Sequence, residues 1–333
     1  MRVLVLGGTL FLSAQIARDA VARGHEVTCV ARGRSGQVPE GVRLLCVDRE
    51  HHGALEVLAD DQFDAVIDVA RAASRWVVDA LDVLADRAQH WTFVSSISAY
   101  ADSATVGQTI EAPLREPIWE PANDLTELTA ERYGSIKVAS EKSVRERVGE
   151  QRSFVVRPGL ITGPADPSDR FGYWAARFAR GGRAIIPDTP HQPIQHIDVR
   201  DLAAWIITAA ETGLTGTYDA VGPITDLGSL LQETAQLVGT TDLEPIPIAP
   251  ETLTESGVTP WAGPKSLPLW LPTEEHGLVT HDPAPALAAG LTPRPLADTV
   301  HATLADERRR GLGRPRKAGL TATEEQQLLD RGF

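Results

Sequence analysis

The chain has 333 residues, of which 42% are hydrophobic and 23% charged, and a formal net charge of −13 at pH 7. This is the composition of a globular protein with one large α/β domain or two unequal ones. The acidic balance argues against nucleic acid as a partner, because phosphate binding needs a basic surface. No apolar run approaches the roughly 18 residues that suggest a membrane span. The N-terminus enters a strand pattern directly, without a leader, so a cytoplasmic protein with no membrane partner is expected. Cys29 and Cys46 both lie in apolar runs and are expected to be buried, reduced thiols.

Val3–Leu6 is a continuous apolar run, as in a strand buried on both faces. A helix pattern follows from Ser13 to Arg23, and Gly24 sits where a C-terminal glycine belongs. Glu26–Ala31 and Val42–Val47 read as strands two and three, and His52–Ala59 as a short helix. Phe63–Val69 reads as strand four and Arg75–Ala88 as a helix. Trp91–Ser95 is strand five, Thr129–Val148 a long helix and Phe154–Arg157 strand six. The alternation predicts an α/β fold, a Rossmann doubly wound parallel sheet with right-handed crossovers. Ile194–Val199 and Thr217–Val221, with a helix at Asp201–Thr212 between them, are expected to rejoin that sheet.

After about residue 160, proline and glycine become dense. The expected division is 1–167 with 191–223 as an NAD(P)-binding domain, and 168–190 with 224–333 as a smaller, discontinuous C-terminal substrate lobe and tail. The basic run from Asp306 to Lys317, "DERRRGLGRPRK", reads as a solvated helix end and loop.

Three features carry chemistry. "GGTLFLS" follows the first strand, as a dinucleotide-binding turn does, but in the spacing G-x-x-G-x-x-G Leu10 and Ser13 replace the second and third glycines. Gly7 keeps the tight turn, Leu10 must point away from the phosphates, and Ser13 is small enough for close packing or could cap the helix. Backbone N–H groups at the helix start bind phosphate whatever the side chains are. Tyr133 and Lys137 lie four apart on one helix face, where an ammonium favours the phenolate of a tyrosine that ordinarily titrates near 10. In "VSSISAY", Ser96 is expected to project from the carboxyl end of strand five, where open α/β sheets bind ligands. On chemistry alone Ser95 or Ser98 could serve instead.

"GGTLFL", "SSISAY", "YGSIK" and "RPGLITGP" occur in this order, and with them residues 1–222 resemble the extended short-chain dehydrogenase/reductases, the NAD(P)-dependent epimerase/dehydratase family. In that family the catalytic Ser or Thr lies four residues before the tyrosine of the strand-five motif, here Tyr100, and this selects Ser96. The resemblance implies that Tyr133 exchanges the substrate proton. Lys137 would lower its pKa and bind the nicotinamide ribose, and Ser96 would orient the substrate oxygen. It further implies a cofactor site that adds Gly7, Thr9, Leu10, Phe11, Leu12, Asp48 beside the adenine, Val69, Ala70, Arg71, Pro158, Gly159, Leu160 and Ile161. Arg71 stands where the family more often has Ala or Gly. Sugar-nucleotide dehydratases of the family carry Asp-Glu after the Ser/Thr, whereas this chain has Ile97 and Ser98, which disfavours that chemistry.

NAD enzymes place an acid at the end of strand two. Here Ala31 is followed by Arg32 and Arg34, and arginine binds phosphate through charge-assisted bonds. NADP is therefore expected, with Arg32 on the 2′-phosphate and NAD as the alternative. Trp119, Arg170, Phe171, Tyr173 and Trp174 are candidates to wall the substrate pocket or to form the core of the small lobe, and His196 and Asp198 to border the site. His51 and His52 read as exposed, and no metal site is expected. The expected function is hydride transfer to or from the carbonyl or secondary alcohol of a small molecule. A nucleotide-sugar epimerase and a non-catalytic NADP sensor are the alternatives. A homodimer through the helices Arg75–Ala88 and Thr129–Val148 is a further expectation.

Overall fold

The computed structural model describes residues 1–71, 73–119 and 128–331. The first half alternates β1 (Arg2–Leu6), α1 (Phe11–Ala22), β2 (Glu26–Ala31), β3 (Arg43–Cys46), β4 (Phe63–Asp68), α2 (Ser74–Leu84), β5 (Ala88–Val94), α3 (Ala130–Val148) and β6 (Ser153–Pro158). Next come β7 (Ile161–Thr162), α4 (Arg170–Phe178), β8 (Arg183–Pro187), β9 (Pro193–Ile194), β10 (Ile197–Asp198), α5 (Val199–Thr212) and β11 (Gly216–Ala220). The remainder holds β12 (Thr225–Asp226), α6 (Leu227–Val238), β13 (Glu244–Ile248), α7 (Pro250–Glu255), β14 (Thr259–Trp261) and β15 (Ser266–Pro268). Helices α8 (Ala284–Ala288), α9 (Leu296–Arg310) and α10 (Ala322–Leu329) follow.

Seven strands form one parallel sheet in the order β11-β6-β5-β4-β1-β2-β3. The chain leaves β1 towards β2 on one side and returns to β4 on the other, so the topological switch point lies between β1 and β4, where open sheets bind nucleotides. Alternate residues of β1 serve opposite faces: Val3 and Val5 pack with α1 and α5, Leu4 and Leu6 with α2 and the end of α3. That two-sided burial is why the strand reads as an unbroken apolar run.

A second hydrophobic core collects α4, β8, α6, α7, α9 and α10, with Trp174, Phe171 and Phe178 among its largest members. Buried ion pairs tie it together. Arg177 donates through Nε to both oxygens of Glu325, at 2.9 and 2.7 Å. Asp169 accepts from Arg310, Arg314 and the backbone of Lys317, and Arg314 and Arg316 also pair with Glu307. The basic run is therefore not the solvated tail that its composition suggests. Asp169, Asp306 and Glu307 are buried carboxylates that need partners, and the arginines supply them.

Other expectations shift. Ile194–Val199 does not rejoin the main sheet: it splits into β9, antiparallel to β12, and β10, parallel to β7. Cys29 is buried but Cys46 is exposed, because β3 is an edge strand covered on fewer sides. His52–Ala59 contracts to a single 3₁₀ turn at Glu56–Leu58. The second helix stops at Leu84, and Ala88 already belongs to β5.

Candidate active site

The carboxyl ends of β1, β2, β4, β5 and β6 converge with the start of α1 and one face of α3. Gly7 and Gly8 make the first turn with φ of 141° and 109°. A Cβ on Gly8 would stand 2.2 Å from the Cys29 sulfur, and one on Gly7 2.7 Å from Val69 across the switch point, so no side chain fits at either position. Leu10 is the N-cap residue of α1 in extended conformation, and its side chain is 53% exposed. Ser13 does not cap the helix: it is buried in the first turn, and its hydroxyl donates back to the Leu10 carbonyl at 2.8 Å. Thr9 and Phe11 are half-buried and Leu12 is buried. The loop after β2 returns to this turn, since a Cβ on Gly36 would meet the Thr9 carbonyl at 2.8 Å. Arg32 and Arg34 lie exposed on that loop. Asp48, just past β3, is half-buried and accepts from the Glu50 N–H at 3.2 Å.

Ser96 begins a 3₁₀ turn at Ile97–Ala99, and its oxygen accepts from the Ser98 N–H at 3.1 Å. Helix α3 lies directly on this turn: a Cβ on Gly134 would sit 1.8 Å from the Ser98 carbonyl oxygen. The glycine beside Tyr133 thus permits the close approach that brings the tyrosine to Ser96. Burial pushes the Tyr133 phenol above its usual value, while the Arg71 guanidinium and a hydrogen bond with the Ser96 side chain pull it back. The Lys137 ammonium lies 5.6 Å from the centroid of the tyrosine ring and donates to the carbonyls of Ala70 at 2.5 Å and Val94 at 2.7 Å. Its own pKa falls to about 7, because burial outweighs the attraction of Asp68 and Glu141. The protein therefore holds a cation that barely keeps its proton at neutral pH, at the junction of β4, β5 and α3.

Two supporting pairs were not picked out from the sequence. Asp68 is wholly buried at the end of β4 and accepts from Arg49 at 3.1 and 3.2 Å and from the Ala70 N–H at 2.9 Å. Glu141, one turn beyond Lys137, accepts from Arg157 at 2.9 and 2.8 Å and from the Ser95 hydroxyl at 2.5 Å. Ser95 therefore fastens the end of β5 to α3 and is not free to meet a ligand. An acid closing an apolar strand, and a glutamate eight residues after Tyr133 on the same helix face, were the available signals.

The remaining candidates separate. Pro158 ends β6, Gly159 packs on Val221, Leu160 is buried and Ile161 opens β7. His196 is half-buried, hydrogen-bonded to Thr162 at 3.0 Å and stacked near Phe171, and burial takes its pKa down to about 4. Arg170 lies 4.7 Å from the Trp261 ring centroid. Trp119 is 49% exposed. Trp174 cannot line a pocket: it is fully buried, its indole N–H donating to the Pro268 carbonyl at 2.8 Å. Tyr173 is likewise core. Asp198 caps α5 and binds Arg200 and Thr299, a structural duty. His51 and His52 are exposed.

The sheet order and the glycine turn at its switch point define a nucleotide-binding protein of the doubly wound class. More narrowly, the family model described as the NAD dependent epimerase/dehydratase family matches residues 3–220, and the chain belongs to that family, whose members are nicotinamide-dependent enzymes acting on small molecules. A search of proteins of curated function returned no match. Solved structures share the fold. A candidate epimerase of Burkholderia cenocepacia J2315 is 20% identical, with 92% of this chain and 98% of that one covered and a TM-score of 0.69. WbmH of Bordetella bronchiseptica in complex with NAD+ is 15% identical, with 93% and 99% covered and a TM-score of 0.66. UDP-glucose 4-epimerase of Thermus thermophilus in complex with NAD is 19% identical, with 92% and 99% covered and a TM-score of 0.63. No helix among the described residues is long and apolar enough to cross a membrane.

Proposed function

We propose that this enzyme moves a hydride between NADP and the carbonyl or secondary alcohol of a small molecule, with Tyr133, Lys137 and Ser96 as catalytic residues. The observation that carries the reading is the convergence of these three residues beside the switch point, with Gly134 packed on the Ser98 carbonyl to hold them there. The residues fit the cofactor: Gly7 and Gly8 leave no room for a Cβ in the turn, and α1 starts at Phe11 directly after it, with first N–H groups that have no partner inside the helix. When bound, NADP accepts or supplies the hydride. Tyr133 exchanges the hydroxyl proton of the substrate, and Ser96 donates to the same oxygen. Lys137, whose ammonium donates to the Ala70 and Val94 carbonyls, would hold the nicotinamide ribose. Arg32, with Arg34 near it, takes the 2′-phosphate, since both are exposed on the loop that folds over the glycine turn. Asp48 would hold the adenine, and Val69, Ala70, Pro158, Gly159, Leu160 and Ile161 would line the nicotinamide side.

In this reading residues 168–190 and 224–333 form the substrate lobe, which takes in Arg170 and abuts His196. The protein works in the cytoplasm as a homodimer through α2 and α3. The test is a screen for NADPH and NADH consumption against ketones, aldehydes and keto-sugars. NADPH use that is lost in Tyr133→Phe is expected; NADH preference sinks the cofactor assignment. A nucleotide-sugar epimerase is the second reading, favoured by the fold shared with UDP-glucose 4-epimerases. It predicts epimer conversion without net cofactor consumption.

A further inference from the structure

Five buried polar residues that exchange nothing with a substrate in the reading above form one line across the molecule. Glu141 of α3 accepts two bonds from Arg157 of β6, at 2.9 and 2.8 Å. Arg157 also donates to the Tyr100 hydroxyl at 2.9 Å, with its guanidinium 4.9 Å from the centroid of the tyrosine ring. Tyr100 donates to Asp219 Oδ1 at 2.7 Å, and Asp219 Oδ2 lies 3.2 Å from Nδ1 of His281. Asp219 and Arg157 are register neighbours on β11 and β6. The His281 ring lies 4.8 Å from the Tyr100 ring, tilted by 34°.

The donors run in one direction. Burial pushes the Tyr100 phenol well above its usual value, so the hydroxyl keeps its proton, accepts from Arg157 and donates to Asp219. A carboxylate cut off from water needs partners for both oxygens, and His281 stands at the second one. His281 reaches that place from the far end of the chain. Gln195 holds its backbone twice, accepting from the His281 N–H at 2.9 Å and donating to its carbonyl at 2.7 Å. The residues on either side are stitched to the loop that leaves Tyr100. The Gly107 N–H donates to the Thr280 carbonyl, and the Asp282 N–H to the Gln108 carbonyl, both at 2.9 Å. A Cβ on Gly277 would stand 2.5 Å from the Ser103 carbonyl oxygen.

At its other end the line meets the site. Glu141 lies one turn beyond Lys137 on α3. The turn that Ser96 opens ends at Tyr100, and Arg115 Nε donates to the Ser98 carbonyl inside it at 3.0 Å. Holding Tyr100 against Arg157 therefore holds the Ser96 turn against the helix of Tyr133 and Lys137. A connected hydrogen-bond network rigidifies the elements it joins and favours one arrangement of them.

We propose that His281 is a positioning residue: acting through Asp219, Tyr100 and Arg157, it keeps the Ser96 turn in place against Tyr133 and Lys137, and so ties the catalytic centre to residues 277–282. Its effect on turnover rests on the hydride-transfer reading above; its effect on the turn does not.

The test uses the full chain loaded with NADPH. His281→Phe keeps a ring on Tyr100 and removes the nitrogen that faces Asp219, while His281→Asn returns a donor there. Amide hydrogen exchange is measured at residues 96–100 and 130–141, because it reads local opening. In His281→Phe it should rise at least fivefold in these two segments and stay unchanged in β1, β2 and β4. With a carbonyl substrate found by the NADPH screen, kcat should fall at least tenfold with KM and NADPH affinity within twofold. His281→Asn should recover part of both effects. Tyr100→Phe breaks the line in its middle and should give the same pattern, and adding it to His281→Phe should lower kcat by less than a further twofold. Should His281→Phe not fold, Tyr100→Phe is judged by the same exchange and kcat criteria. Unchanged exchange at both segments overturns the proposal. So does exchange that rises evenly through the sheet, a kcat that His281→Asn does not improve, or fully additive losses. Failure of the hydride-transfer reading looks different: the natural protein consumes no NADPH with any carbonyl, while exchange at the Ser96 turn still responds to His281→Phe.

Discussion

At the carboxyl edge of the sheet, Lys137 donates to two backbone carbonyls and, among the described residues, has no carboxylate bonded to it. In the second core, Arg177 is gripped by both oxygens of Glu325, and Arg314 and Arg316 by Glu307. Both regions bury positive charge, and both incur desolvation for it. In the second core that cost is offset on the spot by fixed partners. At the sheet edge it is left standing, and Lys137 responds by dropping to a pKa of about 7. Perturbed titration of this kind gathers at functional sites, which agrees with the role proposed for Lys137.

The contrast is broken most severely by Tyr133→Phe. Removing a positioned acid–base group typically lowers kcat by about 10²–10⁴-fold. NADPH binding, read by fluorescence titration, should survive, and full turnover in this variant would end the assignment. On the structural side, Glu325→Gln leaves Arg177 buried without its counter-ion, so urea unfolding should report a loss of about 3–5 kcal/mol. Ser95→Ala removes the bond to Glu141 that joins β5 to α3. Bonds to charged groups contribute about 1.5–3 kcal/mol, so a loss in that range is expected, with kcat falling more than KM rises as Ser96 and Tyr133 lose register. An unchanged kcat would show that the fastening has no bearing on the site.

Lys137 also gives a pH test with a definite sign. A lysine titrates near 10.4 in the unfolded chain and at about 7 in the folded protein. Between these values the unfolded chain holds more protons, so the Lys137 contribution makes stability rise with pH, while below about 7 its penalty is present in full. The melting temperature should gain more between pH 7 and 9 in the natural protein than in Lys137→Met; parallel curves would contradict the depressed value. The smallest effect is expected from Leu10→Gly. Glycine is a better N-cap than leucine, and the Leu10 side chain already faces solvent. NADPH affinity should stay equal or tighten, and a large loss would mean that Leu10 shapes the site.

How much of this was readable in the chain varies by element. Glu26–Ala31 matches β2 residue for residue, because alternating strands and helices leave periodic runs that short-range rules detect. The long helix after strand five begins as read, with Thr129 as its cap. Trp174 shows the limit. Its neighbours in sequence make it equally suited to a pocket wall or a core, and only the Pro268 carbonyl, 94 residues away, decides. Arg49–Asp68 and Glu141–Arg157 are likewise pairs across 19 and 16 residues whose partners no local pattern specifies.

The sequence alone determined the alternation of strands and helices and the glycines of the first turn, which are local matters of periodicity and backbone freedom. Its resemblance to a family, and not spacing, pointed to Ser96 beside Tyr133 and Lys137. The tertiary structure alone decided which charges are paired and which stay poised, since the energy of a buried charge depends on what surrounds it in space. It also decided that the Tyr133 phenol is buried, with the Arg71 guanidinium and the Ser96 side chain lowering a pKa that burial raises. Arg71 stands in a loop with no periodic signature, and its charge reaches Tyr133 only because α3 packs on the end of β4, where Lys137 donates to the Ala70 carbonyl.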